Sequence, residues 1–369
     1  MNVPFYTASR EYARLKNEID TAVQTVCEKG DFILGEAVAR FEKNAASYLH
    51  TRHAIGNSSG SEALLLALHA LNVKPGDEVI TTPFSFFATV SAVVRMGAKP
   101  VFVDIDPKTF NIDASRIEKA ITKKTKVVLP VHLFLQTSDM NVIMDVARHH
   151  SIGVVEDAAE AFGMEFNGKK AGTIGDIGIY SFYPTKTLGG YGDGGLLTTD
   201  SDELAARLRM LRVHGSAKRY YHDEVGYNSR LDSIQAAILD IKLKYIEKSI
   251  TRRKEIGEKY SHLLSGIGDI ELPYIGPNKR EVYYVYSILT DRRDELADYL
   301  KSKGIGTTVY YPVPLHLQHC FESMGHKKGD YPIAERTCER ILALPIYPEY
   351  TDEELEYTVD TIRAFFSGK

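Results

Sequence analysis

Ser181–Gly195, SFYPTKTLGGYGDGG, decides between two readings of this chain. Gly190, Gly192 and Gly195 match the pattern G-x-G-x-x-G. In a dinucleotide-binding fold those glycines follow a strand and open a helix, so that a pyrophosphate can approach the helix N-terminus. Here they follow a lysine-bearing turn and run into LLTTD, which reads as a strand. The stretch is therefore a strand-to-strand connection carrying one lysine, Lys186, among polar and aromatic neighbours. Burial disfavours an ammonium ion, so a lysine in a tight, largely uncharged turn can lose its proton near neutral pH. A neutral lysine forms Schiff bases with carbonyls. Lys186 is thus a candidate for holding an aldehyde cofactor; a plain surface lysine beside a glycine turn is the other reading.

Working outward, residues 55–240 alternate short β-branched runs with helical patterns. Candidate strands are Glu78–Thr82, Pro100–Ile105, Lys126–Leu133, Gly153–Glu156, Ile177–Phe182 and Gly195–Thr199. Candidate helices span about 60–72, 84–96, 113–122, 139–150, 202–212 and 230–249. This spacing predicts an α/β fold with a mostly parallel sheet covered on both faces, whose ligands bind at the carboxyl ends of the strands. After residue 250 the pattern changes: Glu281–Tyr286 and Thr307–Tyr311 read as strands, Arg293–Lys303 and Thr351–Ser367 as helices. The expected division is an N-terminal helical segment, 1–29, packing with the small domain; a large domain, 30–249; and a smaller α+β domain, 250–369.

With 45 basic and 49 acidic residues the net charge is −4, and the basic residues are scattered. That argues against capture of nucleic acid or of an anionic membrane surface. No apolar run reaches the length of a membrane span, and the first residues lack the apolar core of a signal peptide. Cys27, Cys320 and Cys338 are odd in number and widely spaced, which fits reduced thiols in a cytoplasmic protein rather than a disulfide frame or zinc site.

Three segments add chemistry to Lys186. GNSSGSEALLLALHAL, from Gly56, runs hydroxyls and glycine into an apolar helix, and the free N–H groups of such a terminus suit a phosphate. It lacks the Gly-Lys-Ser/Thr of a Walker loop. VVEDAAEAFG, from Val154, puts Asp157 at a strand end, where a buried carboxylate needs a positive partner; a pyridinium nitrogen would serve. A helix cap or metal ligand is the alternative there, and no neighbouring histidine pattern supports a metal. TTPFSFFATVSAVV, from Thr81, sets Phe84, Phe86 and Phe87 beyond a strand, where one could stack on a flat ring or simply fill the core.

Together these segments resemble the sugar-nucleotide aminotransferases of the DegT/DnrJ/EryC1/StrS family, pyridoxal-phosphate enzymes of fold type I. The likeness runs from GDFILGEAVARFEKNAASYL at Gly30 through SGSEAL, PFSFFAT, VFVDID, EDAAEAFG and SFYPTKTLGGYGDGG. It continues in HGSAKRYYHDEVGYNSRLDSIQAAIL at His214 and VYYPVPLHLQ at Val309. The resemblance implies a large domain with a seven-stranded, mostly parallel sheet between helices, a smaller α+β C-terminal domain, and pyridoxal 5'-phosphate (PLP) cycling through pyridoxamine 5'-phosphate (PMP). It implies that Lys186 carries the cofactor imine and then shuttles protons, that Asp157 pairs with the pyridine nitrogen, and that Phe86 stacks on the ring. Gly60, Ser61 and Ser181 would hold the phosphate. Asn228 would reach the cofactor phosphate of the other subunit, making a homodimer with shared active sites. Arg230 and Tyr311 match positions that meet the sugar nucleotide; structural hydrogen bonding at a domain or subunit boundary is the other reading of both.

The chain departs from the family in places. Ser59-Gly60-Ser61-Glu62 stands where Asn-Gly-Thr-Asp is frequent, and serine can replace the threonine hydroxyl. Glu160 stands where glutamine commonly contacts the cofactor's phenolic oxygen, and two negative groups there repel unless one holds a proton. His132-Leu133-Phe134-Leu135 carries leucine where glycine is usual. The implied reaction is transamination of a keto-sugar nucleotide with L-glutamate. Lysine rather than the histidine of the family's dehydratases favours amino transfer. The run from His214 is most like enzymes acting on 3-keto sugars linked to dTDP or UDP; the alternatives are a 4-keto substrate, a non-catalytic regulator of the same fold, or an amino-acid aminotransferase.

Overall fold

The computed structural model describes residues 1–368. Seven strands form one sheet: β1 (His53–Asn57), β2 (Glu78–Thr81), β3 (Lys99–Phe102), β4 (Thr125–Val128), β5 (Gly153–Asp157), β6 (Ile177–Ser181) and β7 (Gly195–Thr199). Their order is β1-β7-β6-β5-β4-β2-β3. β7 runs antiparallel to both its neighbours, and the remaining pairs are parallel. The sheet is thus the mostly parallel, seven-stranded one the family resemblance implies. β1 escaped the reading of the periodicity because HAIGN is short, lacks alternation and abuts the serine turn; it is an edge strand paired only with β7. β4 is shorter than expected because Pro130, lacking an N–H, cannot continue the ladder.

Helix Gly60–Ala70 (α1) buries residues on all its faces, among them Leu64, Leu65, Leu66 and Leu68. An all-round apolar helix belongs inside a protein. It lies between the sheet and helices Phe87–Arg95 (α2) and Asp202–Leu211 (α3), and each buried leucine contributes roughly 1.5–3 kcal/mol. The expected helix over 230–249 is two: Ser233–Leu243 (α4) and Ile246–Leu264 (α5). Ile246 and Ile250 of α5 join the core beneath the sheet, whereas Ile256, Tyr260 and Leu264 join a second core. Residue 250 therefore falls inside a helix that serves both cores.

The second core surrounds the antiparallel pair Tyr286–Leu289 and Ile341–Leu344. The first of these begins later than sequence suggests. The buried Arg253 guanidinium takes the carbonyls of Tyr283, Tyr284 and Ile346, which removes that backbone from any ladder. Thr307–Tyr311 likewise forms only a single bridge, Thr308 to Ala343. Residues 1–29 divide their contacts. The helix Ser9–Lys29 lays Leu15 and Ile19 on Ile238 of α4, while Val3 bridges Ile305 and Arg10 pairs with Glu354 at 2.6 Å. Among the described residues no helix is long and apolar enough to cross a membrane.

β6 ends at Ser181 and delivers the lysine turn. Along it, Gly178 passes so close to Gly172 that an added Cβ would sit 1.9 Å from the Gly172 carbonyl oxygen. Backbone, not a mobile side chain, would have to move. Gly178→Ala is expected to destabilise the fold by about 3 kcal/mol or more, the upper end of overpacking. Denaturant unfolding of variant and wild type checks this.

Candidate active site

The carboxyl ends of β5 and β6 and the N-terminus of α1 open onto one cavity of about 610 Å³. Gly60, Ser61, Phe86, Asp157, Glu160, Ser181, Lys186 and Tyr311 all line it. Asn228 and Arg230 do not. They sit between α3 and α4, Asn228 exposed and Arg230 half-buried, although Ser229 beside them hydrogen-bonds Ser58 (Oγ–Oγ 3.0 Å). Reading the sequence missed four residues of the cavity wall: Tyr284, whose segment VYYVYS carries no motif, and Tyr183, Tyr310 and Thr89, which lie inside quoted segments but were given no role. Thr89 lies one helical turn beyond Phe86, a spacing that could have drawn notice. Of the two leucines after His132, Leu133 lines the cavity and Leu135 packs into the second core.

Consecutive residues of a strand face opposite ways, and at the end of β5 this separates two carboxylates. Glu156 is fully buried and saturated. Its oxygens accept from Gly172 N–H at 2.9 Å, from Ile174 and Gly175 N–H at 2.6 Å each, and from His132 Nε2 at 2.8 Å. Ser138 N–H donates to His132 Nδ1, which leaves Nε2 as the protonated nitrogen. Burial alone would raise the pKa of Glu156, but the His132 hydrogen bond and the Gly175 and Gly172 N–H groups hold it below the ordinary glutamate range.

Asp157 faces the cavity and is poorly provided for. It accepts from Thr89 Oγ1 at 2.8 Å and Ala159 N–H at 3.2 Å, and among the described residues it has no ion pair. Burial raises its pKa above 3.8, against those two hydrogen bonds. A buried carboxylate in this condition is a receptor for a cation.

Lys186 corrects the expectation of a neutral amine. Its turn is not uncharged: Nζ lies 3.1 Å from Glu160 Oε1 and 4.3 Å from the centre of the Tyr284 ring. Burial by itself would lower the lysine's pKa, but Glu160 and then Tyr284 outweigh it, and the shift is upward. At the N-terminus of α1, Ser59 caps the helix by accepting Glu62 N–H at 3.2 Å. The other N–H groups of a first helical turn lack intrahelical partners and favour an anion. Gly60 is needed at that terminus: a Cβ there would lie 2.8 Å from Ser181 Cβ. The glycines of the misleading fingerprint do something else. Gly190 and Gly192 make room for the Gln235 side chain of α4.

A model of the DegT/DnrJ/EryC1/StrS aminotransferase family matches residues 13–363. The chain belongs to that family. A pleiotropic regulatory protein of Geobacillus stearothermophilus is 47% identical over 99% of both chains. UDP-2-acetamido-2-deoxy-3-oxo-D-glucuronate aminotransferase of Pseudomonas aeruginosa is 39% identical over 94% of this chain and 95% of its own. Among solved structures, Streptomyces venezuelae DesV in complex with a ketimine intermediate superposes with a TM-score of 0.96 at 39% identity, over 99% of this chain and 98% of that one. Bacillus subtilis NtdA with bound PMP gives 0.92 at 34% identity, over 99% and 85%. The fold is fold type I, and this family member is a PLP-dependent aminotransferase.

The cavity fits that cofactor on its own chemistry. A cation-seeking carboxylate, an anion-seeking helix terminus, an amine and an aromatic face surround a space for a flat ring with a basic nitrogen, a phosphate and an aldehyde.

The His132–Glu156 pair yields a test. Because the folded pKa of Glu156 is depressed, the pair contributes stability above the unfolded value of about 4.3, and that stability is lost as pH falls through the folded value. His132→Ala leaves a buried carboxylate short of a partner. It is expected to cost roughly 3–5 kcal/mol at neutral pH and to move the onset of acid unfolding to higher pH, as read by urea melts across pH 3–7.

Proposed function

We propose that this enzyme transfers the amino group of L-glutamate to a keto-sugar nucleotide, with the keto group at carbon 3 and dTDP or UDP as the nucleotide, releasing an amino-sugar nucleotide and 2-oxoglutarate. The observation that carries the reading is the convergence of Lys186, Asp157 and the α1 N-terminus on one cavity. When bound there, PLP supplies an electron sink that makes the proton on the amino acid's α-carbon removable. Lys186 would hold the aldehyde and, once freed, would move the proton of the substrate's α-carbon. Asp157 would keep the pyridine nitrogen protonated, Phe86 would cover the ring, and Gly60, Ser61 and Ser181 would receive the phosphate. Glu160 would face the phenolic oxygen, and Arg230 and Tyr311 would meet the sugar nucleotide.

The site is completed by a second copy of the chain in this reading. Among the described cavity-lining residues Lys186 is the only cation, too little for a dicarboxylate donor and a diphosphate. Apolar Phe32, Ile33 and Leu34 are 45%, 47% and 37% exposed, and Phe86 at the cavity is 57% exposed. Phe32 and Ile33 are bonded through their backbones to Ser233 and Asp232, beside the segment that carries Asn228 and Arg230. An apolar surface next to stranded polar residues suits a subunit interface. The preference for carbon 3 rests on the His214–Asp232 run and on the 3-oxo sugar in the name of the Pseudomonas relative.

Visible absorption of the purified protein with PLP tests the donor half. A yellow band that glutamate bleaches is expected; a band that glutamate leaves unchanged would overturn the donor assignment. Lys186→Ala should hold cofactor weakly and lose turnover. The acceptor is then decided by a panel of 3-keto and 4-keto sugar nucleotides, where amination at carbon 4 alone would remove the carbon-3 assignment.

The shared site has its own test. Lys186→Ala and Asn228→Ala proteins, mixed and allowed to exchange subunits, should turn over faster than the sum of the two kept apart, because one site of each mixed dimer regains both residues. No gain on exchange argues for sites built within one chain.

A further inference from the structure

The Lys186–Glu160 contact has consequences of its own. Glu160 is buried, 6% exposed, and Lys186 is mostly covered, 14% exposed. Glu160 is anchored from three sides: Oε1 faces Lys186 at 3.1 Å and accepts the Tyr311 hydroxyl at 3.4 Å, and Oε2 accepts Phe134 N–H at 3.1 Å. The ammonium lies over the Tyr284 ring, whose hydroxyl is 3.1 Å from Thr185 Oγ1. The other titratable groups of the wall are Asp157 on β5, Asp193 on the glycine turn, Tyr183 beside the lysine and Tyr310 beside Tyr311. Burial raises the Tyr310 and Tyr311 hydroxyls, so neither is a ready proton acceptor near neutral pH. Neither aspartate brings a positive charge to the wall. Every charged neighbour of Nζ therefore favours the ammonium, and Glu160 touches it.

An ammonium cannot attack a carbonyl. We infer that Glu160 gates cofactor capture, holding Lys186 protonated until an aldehyde enters and so making the rate of capture depend on pH. This rests on the reading of Lys186 given above. In the step, Nζ loses one proton to Oε1 or to water and forms a double bond to the aldehyde carbon. The aldehyde oxygen leaves as water with the two remaining amine protons. Glutamine at position 160 is isosteric, keeps an acceptor for Phe134 N–H and removes the charge. Lys186 would then retain the burial that lowers its pKa without the contact that raises it.

The experiment strips wild type and Glu160→Gln of cofactor, mixes each with PLP from pH 6.5 to 9.5 and follows the yellow band by stopped flow. The wild-type rate should climb about tenfold per pH unit, as the neutral fraction of the amine does. Glu160→Gln should capture about tenfold faster or more at pH 7 and level off at lower pH, while Glu160→Asp, which keeps the charge, should stay slow. Equal rates and slopes in wild type and Glu160→Gln would overturn the inference and leave the cofactor reading intact. A flat wild-type profile would overturn it even if the variant failed to fold. Failure of all proteins to develop the band would remove both readings. A second readout needs no cofactor: the pH dependence of amine acylation at Lys186, measured by peptide mass spectrometry. It should move to lower pH in Glu160→Gln, and coincident titrations would overturn the gate.

Discussion

The end of β5 is the constraint on which the site depends. Two adjacent carboxylates are buried there, and the pleat turns them to opposite sides. Glu156 spends its whole accepting capacity on the framework, drawing the Gly172–Gly175 turn and His132 onto the strand. With the strand fixed from behind, Asp157 can be held at the cavity with only two hydrogen bonds. The pleat keeps Asp157 away from the donors that saturate Glu156, and a buried carboxylate with so few partners favours a cation beside it.

The same logic distributes charge across the cavity. Asp157 and Glu160 both line the cavity, and Lys186 is paired with Glu160. The N-terminus of α1, in the same lining, favours negative charge. A ligand positive at one end and negative at the other meets both demands in one orientation only. The ends of β5 and α1 thus bring the two opposite preferences to one cavity, before any contact specific to a ring is considered.

Much of this was legible in the sequence, for a physical reason. Strands β2 to β7 announced themselves by short β-branched runs between helices, and the lysine turn, the Asp157 strand end and the capped helix each carry a local pattern. What could not be read depends on contacts distant in sequence. β1 is defined by its pairing with β7, some 140 residues away. The late start of Tyr286–Leu289 is decided by a guanidinium from α5. The charge of Lys186 was misjudged because its local segment is uncharged, whereas the carboxylate that governs it lies 26 residues earlier and Tyr284 lies in another core. Local sequence reports propensity; ionisation is set by whatever the fold brings within a few ångströms.

That last point explains why the two cores must be one molecule. The sheet contributes Asp157, Glu160 and Lys186. Residues beyond α5 that pack with Phe84 and Phe134 contribute Tyr284, Tyr310 and Tyr311, and the N-terminal segment adds Tyr6, whose hydroxyl donates to the Pro184 carbonyl two residues before the lysine. Arg253 in turn pins the carbonyls of Tyr283 and Tyr284. The lysine is thus positioned from the sheet on one side and from the C-terminal core on the other, and α5, running through both, fixes the distance between them. A fragment holding the sheet alone would keep the lysine and its carboxylate but lose the aromatic wall that excludes water. In a wetter, higher-dielectric site the Glu160 contact and the desolvation that opposes it would both weaken. Control of the lysine's proton is therefore a property of the whole chain rather than of the turn that carries it.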